Sequence, residues 1–379
     1  MTTPTKTVAL ILAGGRGSRL SPLTDDRPKP AVRFGAGHRI IDCVLNNLAN
    51  SGIRDIWLVE QYLPDPLNAH LAQGRPWDLD GTFTGLRILP PEQAETPEDG
   101  FSTGNGHALF QQLPDLEKAG VKEVVVASAD HIFSLDYGKV LETHRRQAAA
   151  LTMVTTVLDQ DVSRYGVVET DGDLVTNYVY KPENPATNRI ATEDFVFDVA
   201  ALREAIDAEA DRADGEDLGD YGETIVPWLV ENKQVAHYEL EGYWRDIGTL
   251  QAYFSAHMDL LDELGPDLNS KSWPWRTNQQ AQAAYVGPSA RVTDSLVGPG
   301  ASVRGEVTRS VIGPDVVVEP GATVSNSIVS GATTVPAGAH LESVIVAEGA
   351  AVPAERIGET KPGPGNLTIL SGDGTRDVE

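Results

Sequence analysis

A short repeat near the C-terminus constrains this chain more than any other feature. Val-Gly-Pro occurs at 286–288 and again at 297–299, and Ile312-Gly313-Pro314 has the same form. Each leads into a spaced pair: Ala290 with Val292, Ala301 with Val303, and Val316 with Val318. Gly321-Ala322-Thr323-Val324, Gly331-Ala332-Thr333-Thr334-Val335 and Gly349-Ala350-Ala351-Val352 echo the pattern. An apolar residue about every six positions, with Gly and Pro at the corners, is the hexapeptide signature of a parallel β-helix. Each coil of such a solenoid buries its apolar face only by stacking on its neighbours. A Val/Gly-rich sandwich or barrel would share the composition but not the regular period.

Up to about residue 260 the pattern is different. Val8–Leu12, Ile56–Val59 and Val124–Ala127 are short apolar runs that read as buried strands. Amphipathic stretches, Ile40 to Ser51 and Tyr137 to Ala150, lie between and after them. Such alternation predicts an α/β domain with a Rossmann-like, mostly parallel sheet. Ligands of such sheets bind beyond the carboxyl ends of the strands. The expected organisation is a catalytic domain over 1–255, a linker over 256–284, a left-handed parallel β-helix over 285–357 and a flexible tail over 358–379. The linker should begin as a helix from Ala256 to Leu264, and the tail is rich in Gly, Pro and charge.

The balance of 30 Lys+Arg against 55 Asp+Glu gives a net charge of −25 over 379 residues. That field repels nucleic-acid backbones and anionic membranes, so neither is an expected partner. A small phosphorylated ligand stays open, because a nest of backbone N–H groups can override the global sign. Cys43 is the single cysteine, so no internal disulfide can form. It lies on an apolar helical face and reads as core. The apolar run Val8–Ala13 is too short for a leader or a membrane span. The expected location is cytoplasmic.

The strongest chemical motif is Leu12-Ala13-Gly14-Gly15-Arg16-Gly17-Ser18-Arg19-Leu20, directly after the first strand. Its glycines let backbone N–H groups approach a phosphate chain. It is neither a Walker A loop nor a clean G-x-G-x-x-G. Two arginines lie inside it, and Pro28-Lys29-Pro30 fixes a lysine ten residues beyond Arg19. Fixed cations at both ends suit triphosphate binding and pyrophosphate departure. Asp130-His131 follows the strand at 124–127, and Asp246 lies in Tyr243-Trp244-Arg245-Asp246-Ile247-Gly248-Thr249. Two aspartates meeting over a phosphate make a Mg²⁺ site, a cation that takes one or two carboxylates plus phosphate oxygens and water.

These segments resemble the sugar-1-phosphate nucleotidylyltransferases, above all the glucose-1-phosphate adenylyltransferases (ADP-glucose pyrophosphorylases). The matching pieces include Leu12–Leu20, Pro28–Val32, Arg39–Asp42, Asn50–Arg54, Ala129–Ile132, Tyr165–Val167, Lys181-Pro182 and Tyr243–Leu250, and the likeness runs from residue 8 to about 355. The resemblance implies that Leu12, Ala13, Gly14 and Gly15 hold the nucleotide, together with Glu92, Gln93, Gly104 and Asp130. Arg19 would stabilise the transferring α-phosphate, with Lys29 close by. Asp130 and Asp246 would bind Mg²⁺. Gly166, Tyr180, Lys181, Thr192 and Glu193 would form the sugar-phosphate pocket, with Lys181 on the phosphate. The acceptor phosphate is already ionised at neutral pH, so positioning and charge neutralisation would carry the catalysis. The resemblance also implies a homo-oligomer, a dimer or a tetramer.

The departures from the family lie in the recognition pockets. Pro-Ala-Gln-Gln is usual at the base-reading turn, and Pro90-Pro91-Glu92-Gln93 stands here. A carboxylate offers acceptors only, which suits the N1–H and N2–H₂ donors of guanine, so Glu92 favours GTP over ATP. The usual Arg-Gly-Thr-Ala-Asp-Ala is Thr103-Gly104-Asn105-Gly106-His107-Ala108, Tyr180 replaces a glutamate before Lys181, and Ala191-Thr192-Glu193 replaces Ser-Met-Gly. Sites built on hydroxyl hydrogen bonds discriminate strongly when one partner changes. The expected acceptor is therefore a glucose-like or valienol-type pseudosugar 1-phosphate, as in valienol-1-phosphate guanylyltransferase. Two alternatives stay open: a glucose-1-phosphate adenylyltransferase, and an inactive regulatory homologue. His340 could be read as the base of a hexapeptide acyltransferase, though a lone histidine there is usually exposed. The acidic stretch from Asp207 to Asp220 reads as a solvated helix and loop.

Overall fold

The computed structural model describes residues 5–13, 17–60, 64–89, 105–212, 219–278, 282–359, 367–372 and 374–378. A nine-stranded sheet organises the N-terminal domain, in the order 86–89, 56–60, 7–13, 123–128, 189–198, 151–157, 235–239, 174–180 and 166–171. The first four strands in this order are mutually parallel. The strand Arg189–Asp198 then enters antiparallel between 123–128 and 151–157, and the far edge is a hairpin. The expected Rossmann-like sheet is thus mostly parallel: only Arg189–Asp198 and Leu174–Tyr180 run against the other strands, and 151–157 pairs in parallel with 235–239.

The first strand shows why its residues are apolar throughout. Ala9 and Ile11 belong to one core and Val8 and Leu10 to the other, all with 0% exposure. Alternate side chains enter opposite layers, so both faces need aliphatic residues. The helices Ile40–Asn50, Tyr137–Arg146 and Leu250–Leu261 cover one face, and Asn105–Lys118, Val199–Arg212 and Ile225–Asn232 cover the other. The predicted linker boundary at 255 falls inside the helix Leu250–Leu261.

From Tyr285 onward the chain forms three stacked parallel sheets, consistent with the expected left-handed β-helix. Its ladders are aliphatic: Val286, Val303, Val318 and Val335 pair in succession on one face. Val292, Val307, Val324, Leu341 and Ile357 do so on the second. Leu296, Val311, Ile328, Ile345 and Ile369 form the third. The tail corrects an expectation: Leu367–Ser371 pairs in parallel with Val344–Val346 and is closed by Gly374–Val378. Its Leu367, Ile369 and Leu370 are buried, which is what holds this segment in place.

The two domains share a core. Val311, Ile328, Ile345, Leu367 and Ile369 lie in one apolar cluster with Leu250, Tyr253 and Phe254. Arg27 and Arg33 both donate to Glu348 at the same junction, Arg33 at 2.8 Å. Among the described residues, no helix is long and apolar enough to cross a membrane.

Candidate active site

The register of two central strands decides where the site lies. Leu12 pairs with Ser128 in parallel, so the glycine loop and the turn carrying Asp130 leave the sheet at the same edge. Gly14 and Gly15 lie outside the described residues, as do Glu92, Gln93 and Gly104. Leu12 is half-buried and Ala13 buried at the end of the strand. Gly17 has φ 60°, and a Cβ there would lie 3.0 Å from the Lys29 Cβ. A glycine in the left-handed region therefore lets this loop pass close over Lys29.

Lys29 opens a short 3₁₀ turn after Pro28 and is 8% exposed. Asp246 comes from the strand Trp244–Asp246, which pairs antiparallel with His131–Phe133 so that Asp246 faces His131. The ribbon brings the two aspartates onto one lysine: Lys29 Nζ lies 2.7 Å from Asp130 Oδ2 and 3.4 Å from Asp246 Oδ1. Ser128 donates to the other oxygen of Asp130. Thr249 then caps the helix Leu250–Leu261, its hydroxyl accepting from the Ala252 N–H at 3.1 Å. That cap fixes the loop that follows Asp246.

Burial opposes charge on Lys29, but Asp130 and Asp246 outweigh it and raise its pKa. Burial likewise opposes the Asp130 carboxylate, yet Lys29 and His131 hold it well below the usual range. His131 Nε2 is 3.4 Å from Asp130 and 3.9 Å from Asp246. Desolvation lowers the His131 pKa, and the surrounding carboxylates of Asp130, Asp246 and Glu193 more than restore it. Asp130, His131 and Glu193 bring ligand atoms within 4.8 Å of one another. Carboxylate oxygens that already converge on one buried ammonium fit a hard divalent cation. Asp130 and Asp246 are the residues that could hold it.

The strand Arg189–Asp198 breaks register between Ala191 and Phe195, and Glu193 there adopts φ 63°. Such bulges re-aim side chains beside active sites. Glu193 is exposed, yet crowding by neighbouring protein and repulsion from Asp130, Asp220 and Asp246 shift its carboxyl upward. Thr192 corrects an expectation. It is wholly buried, its hydroxyl donating to the Val154 carbonyl at 3.1 Å, because the bulge turns one residue in as it turns the next out.

Tyr180 and Lys181 stand at the end of the neighbouring hairpin strand, and Lys181 is exposed. Gly166 begins the partner strand, where a Cβ would collide with the Tyr178 hydroxyl. Arg19, on the turn Ser18–Leu20, is exposed and makes no ion pair with the described residues. Asp220, not expected from the sequence, accepts from the Tyr180 hydroxyl at 2.6 Å and from the Gly222 N–H at 2.9 Å. It is not the solvated end of an acidic stretch. The signal was local: Asp two residues before Gly, within Asp220-Tyr221-Gly222, is a side chain that caps its own turn. His340 is exposed and pairs with Thr323 on the adjacent coil at 2.8 Å.

The Lys29–Asp130–Asp246 cluster thus lies at the carboxyl edge of an α/β sheet that is fused to a hexapeptide β-helix. Residues 8–263 match the family model described as nucleotidyl transferase, and 281–362 match the GlmU-like C-terminal hexapeptide model. The chain is 36% identical over 346 residues to glucose-1-phosphate adenylyltransferase of Bacillus cereus (strain Q1), covering 90% of this chain and 91% of that one. The proteins of the same name from Bacillus mycoides and Bacillus anthracis match over the same length with the same identity. The chain belongs to the sugar-1-phosphate nucleotidylyltransferase family.

Proposed function

We propose that the enzyme transfers a purine nucleoside monophosphate, from GTP in preference to ATP, to a glucose-like or valienol-type cyclitol 1-phosphate. The observation that carries the transfer chemistry is the convergence of Asp130 and Asp246 on Lys29 beside the glycine loop. An oxygen of the acceptor phosphate attacks the α-phosphorus of the nucleotide in line. The bond from that phosphorus to the bridging β-oxygen breaks, and pyrophosphate leaves. No proton need be removed from an ionised phosphate, so no general base is required. Asp130 and Asp246 would hold Mg²⁺, which supplies charge neutralisation on the triphosphate. Lys29 and Arg19 attract the α-phosphate and the departing pyrophosphate, Leu12 to Gly15 line the triphosphate, and Lys181 holds the acceptor phosphate.

Donor preference rests on Glu92, whose carboxylate accepts from guanine and repels the adenine N1 lone pair. Acceptor preference rests on Tyr180 and Glu193. The identity to glucose-1-phosphate adenylyltransferases favours a second reading, ATP with glucose 1-phosphate. Pyrophosphate release measured with ATP, GTP, UTP and dTTP separates the two. The first reading expects GTP to be used best and Glu92→Gln to shift preference toward ATP by about tenfold, one hydrogen-bond pair's worth of discrimination. ATP as the best donor, unchanged in that variant, would establish the second. We further infer a cytoplasmic homo-oligomer, a dimer or tetramer, which light scattering on the purified protein checks.

A further inference from the structure

The acceptor side of the cleft contains a hydrogen-bond chain that the transfer chemistry does not use directly. Lys181 Nζ donates to the Tyr180 hydroxyl at 2.6 Å, and that hydroxyl donates to Asp220 Oδ2 at 2.6 Å. The ammonium also lies 4.4 Å from the centre of the Tyr180 ring. Asp220 is itself fixed, since its other oxygen accepts from the Gly222 N–H. The main chain is held too: the Lys181 N–H donates to the Tyr165 carbonyl at 3.0 Å, with Lys181 at φ 46°. Tyr165 packs edge-on against Trp244, two residues before Asp246. The far wall of the chain is tight. A Cβ on Gly222 would sit 2.8 and 3.0 Å from the Tyr180 ring.

A lysine ammonium on a flexible stem loses rotamer entropy when it binds a phosphate. A partner that holds it beforehand removes part of that cost. We propose that Tyr180 and Asp220 are a positioning pair that preorganises Lys181 for the acceptor's phosphate, with the Tyr180 ring as the wall of the acceptor pocket. The proposal rests on the reading that Lys181 grips that phosphate. It assigns Asp220 a role through Tyr180 and Lys181 rather than by direct contact with the reacting atoms. It also makes Gly222 a residue whose smallness sets the position of the ring.

The test is steady-state kinetics of pyrophosphate release with the acceptor 1-phosphate that the wild-type enzyme uses best. Tyr180→Phe deletes one oxygen and keeps the ring. It should raise the acceptor KM about tenfold while kcat and the nucleotide KM stay within about twofold. Asp220→Asn should do the same, and the double variant should be no worse than the weaker single one. Gly222→Ala, which pushes the ring, should raise the same KM. An acceptor KM unchanged in Tyr180→Phe, or effects that add in full in the double variant, would overturn the pair. A general loss in kcat and both KM values would also overturn it, by showing a merely structural role. Wild-type protein that turns over no acceptor would overturn the reading beneath the proposal, a failure visible before any variant is made.

Discussion

A lysine buried between two aspartates is stable only as part of the set. Removing the Lys29 ammonium leaves Asp130 and Asp246 facing each other with only His131 beside them. Asp130 keeps about a third of its side chain in water, so the cost is below that of a fully buried pair. Lys29→Ala should therefore lose about 1–3 kcal/mol of stability without metal. Mg²⁺ should raise the melting temperature of this variant more than that of the wild type, because it takes the lysine's place. Thermal unfolding with and without Mg²⁺ checks this, and an equal response in the two proteins would count against a metal held by these aspartates. Lys29, Asp130 and Asp246 were legible in the sequence because each stands in a short motif whose local chemistry is distinctive. Asp220 had a local signal in Asp220-Tyr221-Gly222, but its bond to Tyr180 and the outward turn of Glu193 depend on which strands and loops become neighbours. Thr192 was misplaced for the same reason: between Ala191 and Phe195 the strand carries two residues more than its partner does between Thr155 and Met153, and that bulge decides which side chain turns in.

At the scale of elements, the β-helix was readable because its period is short and its apolar positions repeat on every coil. Its last coil was not, because Leu367–Ser371 carries no Gly-Pro corner and follows a polar, proline-rich stretch. The junction between the turn 27–33 and the β-helix had no sequence signal either. Glu348 there is opposed by burial, but Arg33 and Arg27 outweigh it and hold its carboxyl at about 2, against an ordinary 4.5. The folded value lies below the unfolded one. The contribution is therefore fully present above about pH 4.5 and is lost as the pH falls through about 2. Glu348→Gln should cost about 2–3 kcal/mol at pH 7, and its difference from wild type should shrink below pH 4.5. Thermal or denaturant unfolding across pH 2–7 measures this. A constant difference down to pH 2 would mean that the ion pairs do not set the junction's stability.

Across the whole molecule, the proposed function asks a chain of net charge −25 to bind a nucleoside triphosphate. On that reading Lys29, Arg19 and Lys181 supply the local positive charge, and a divalent cation offsets the carboxylates of Asp130 and Asp246. The domain order, the α/β class and the solenoid could all be read from composition and period. The two reversed strands, Leu174–Tyr180 and Arg189–Asp198, could not, because strand direction is set by connections and packing rather than by residue type. The proposed activity is metal-dependent nucleotidylyl transfer centred on Asp130 and Asp246. Phosphorus NMR of the purified enzyme with Mg²⁺, GTP and either glucose 1-phosphate or valienol 1-phosphate tests it most directly. Pyrophosphate and a nucleoside diphospho-sugar signal should grow equally, and both should be absent in Asp130→Asn and without Mg²⁺. No diphospho-sugar from any acceptor with GTP or ATP, or undiminished turnover in Asp130→Asn, would contradict it.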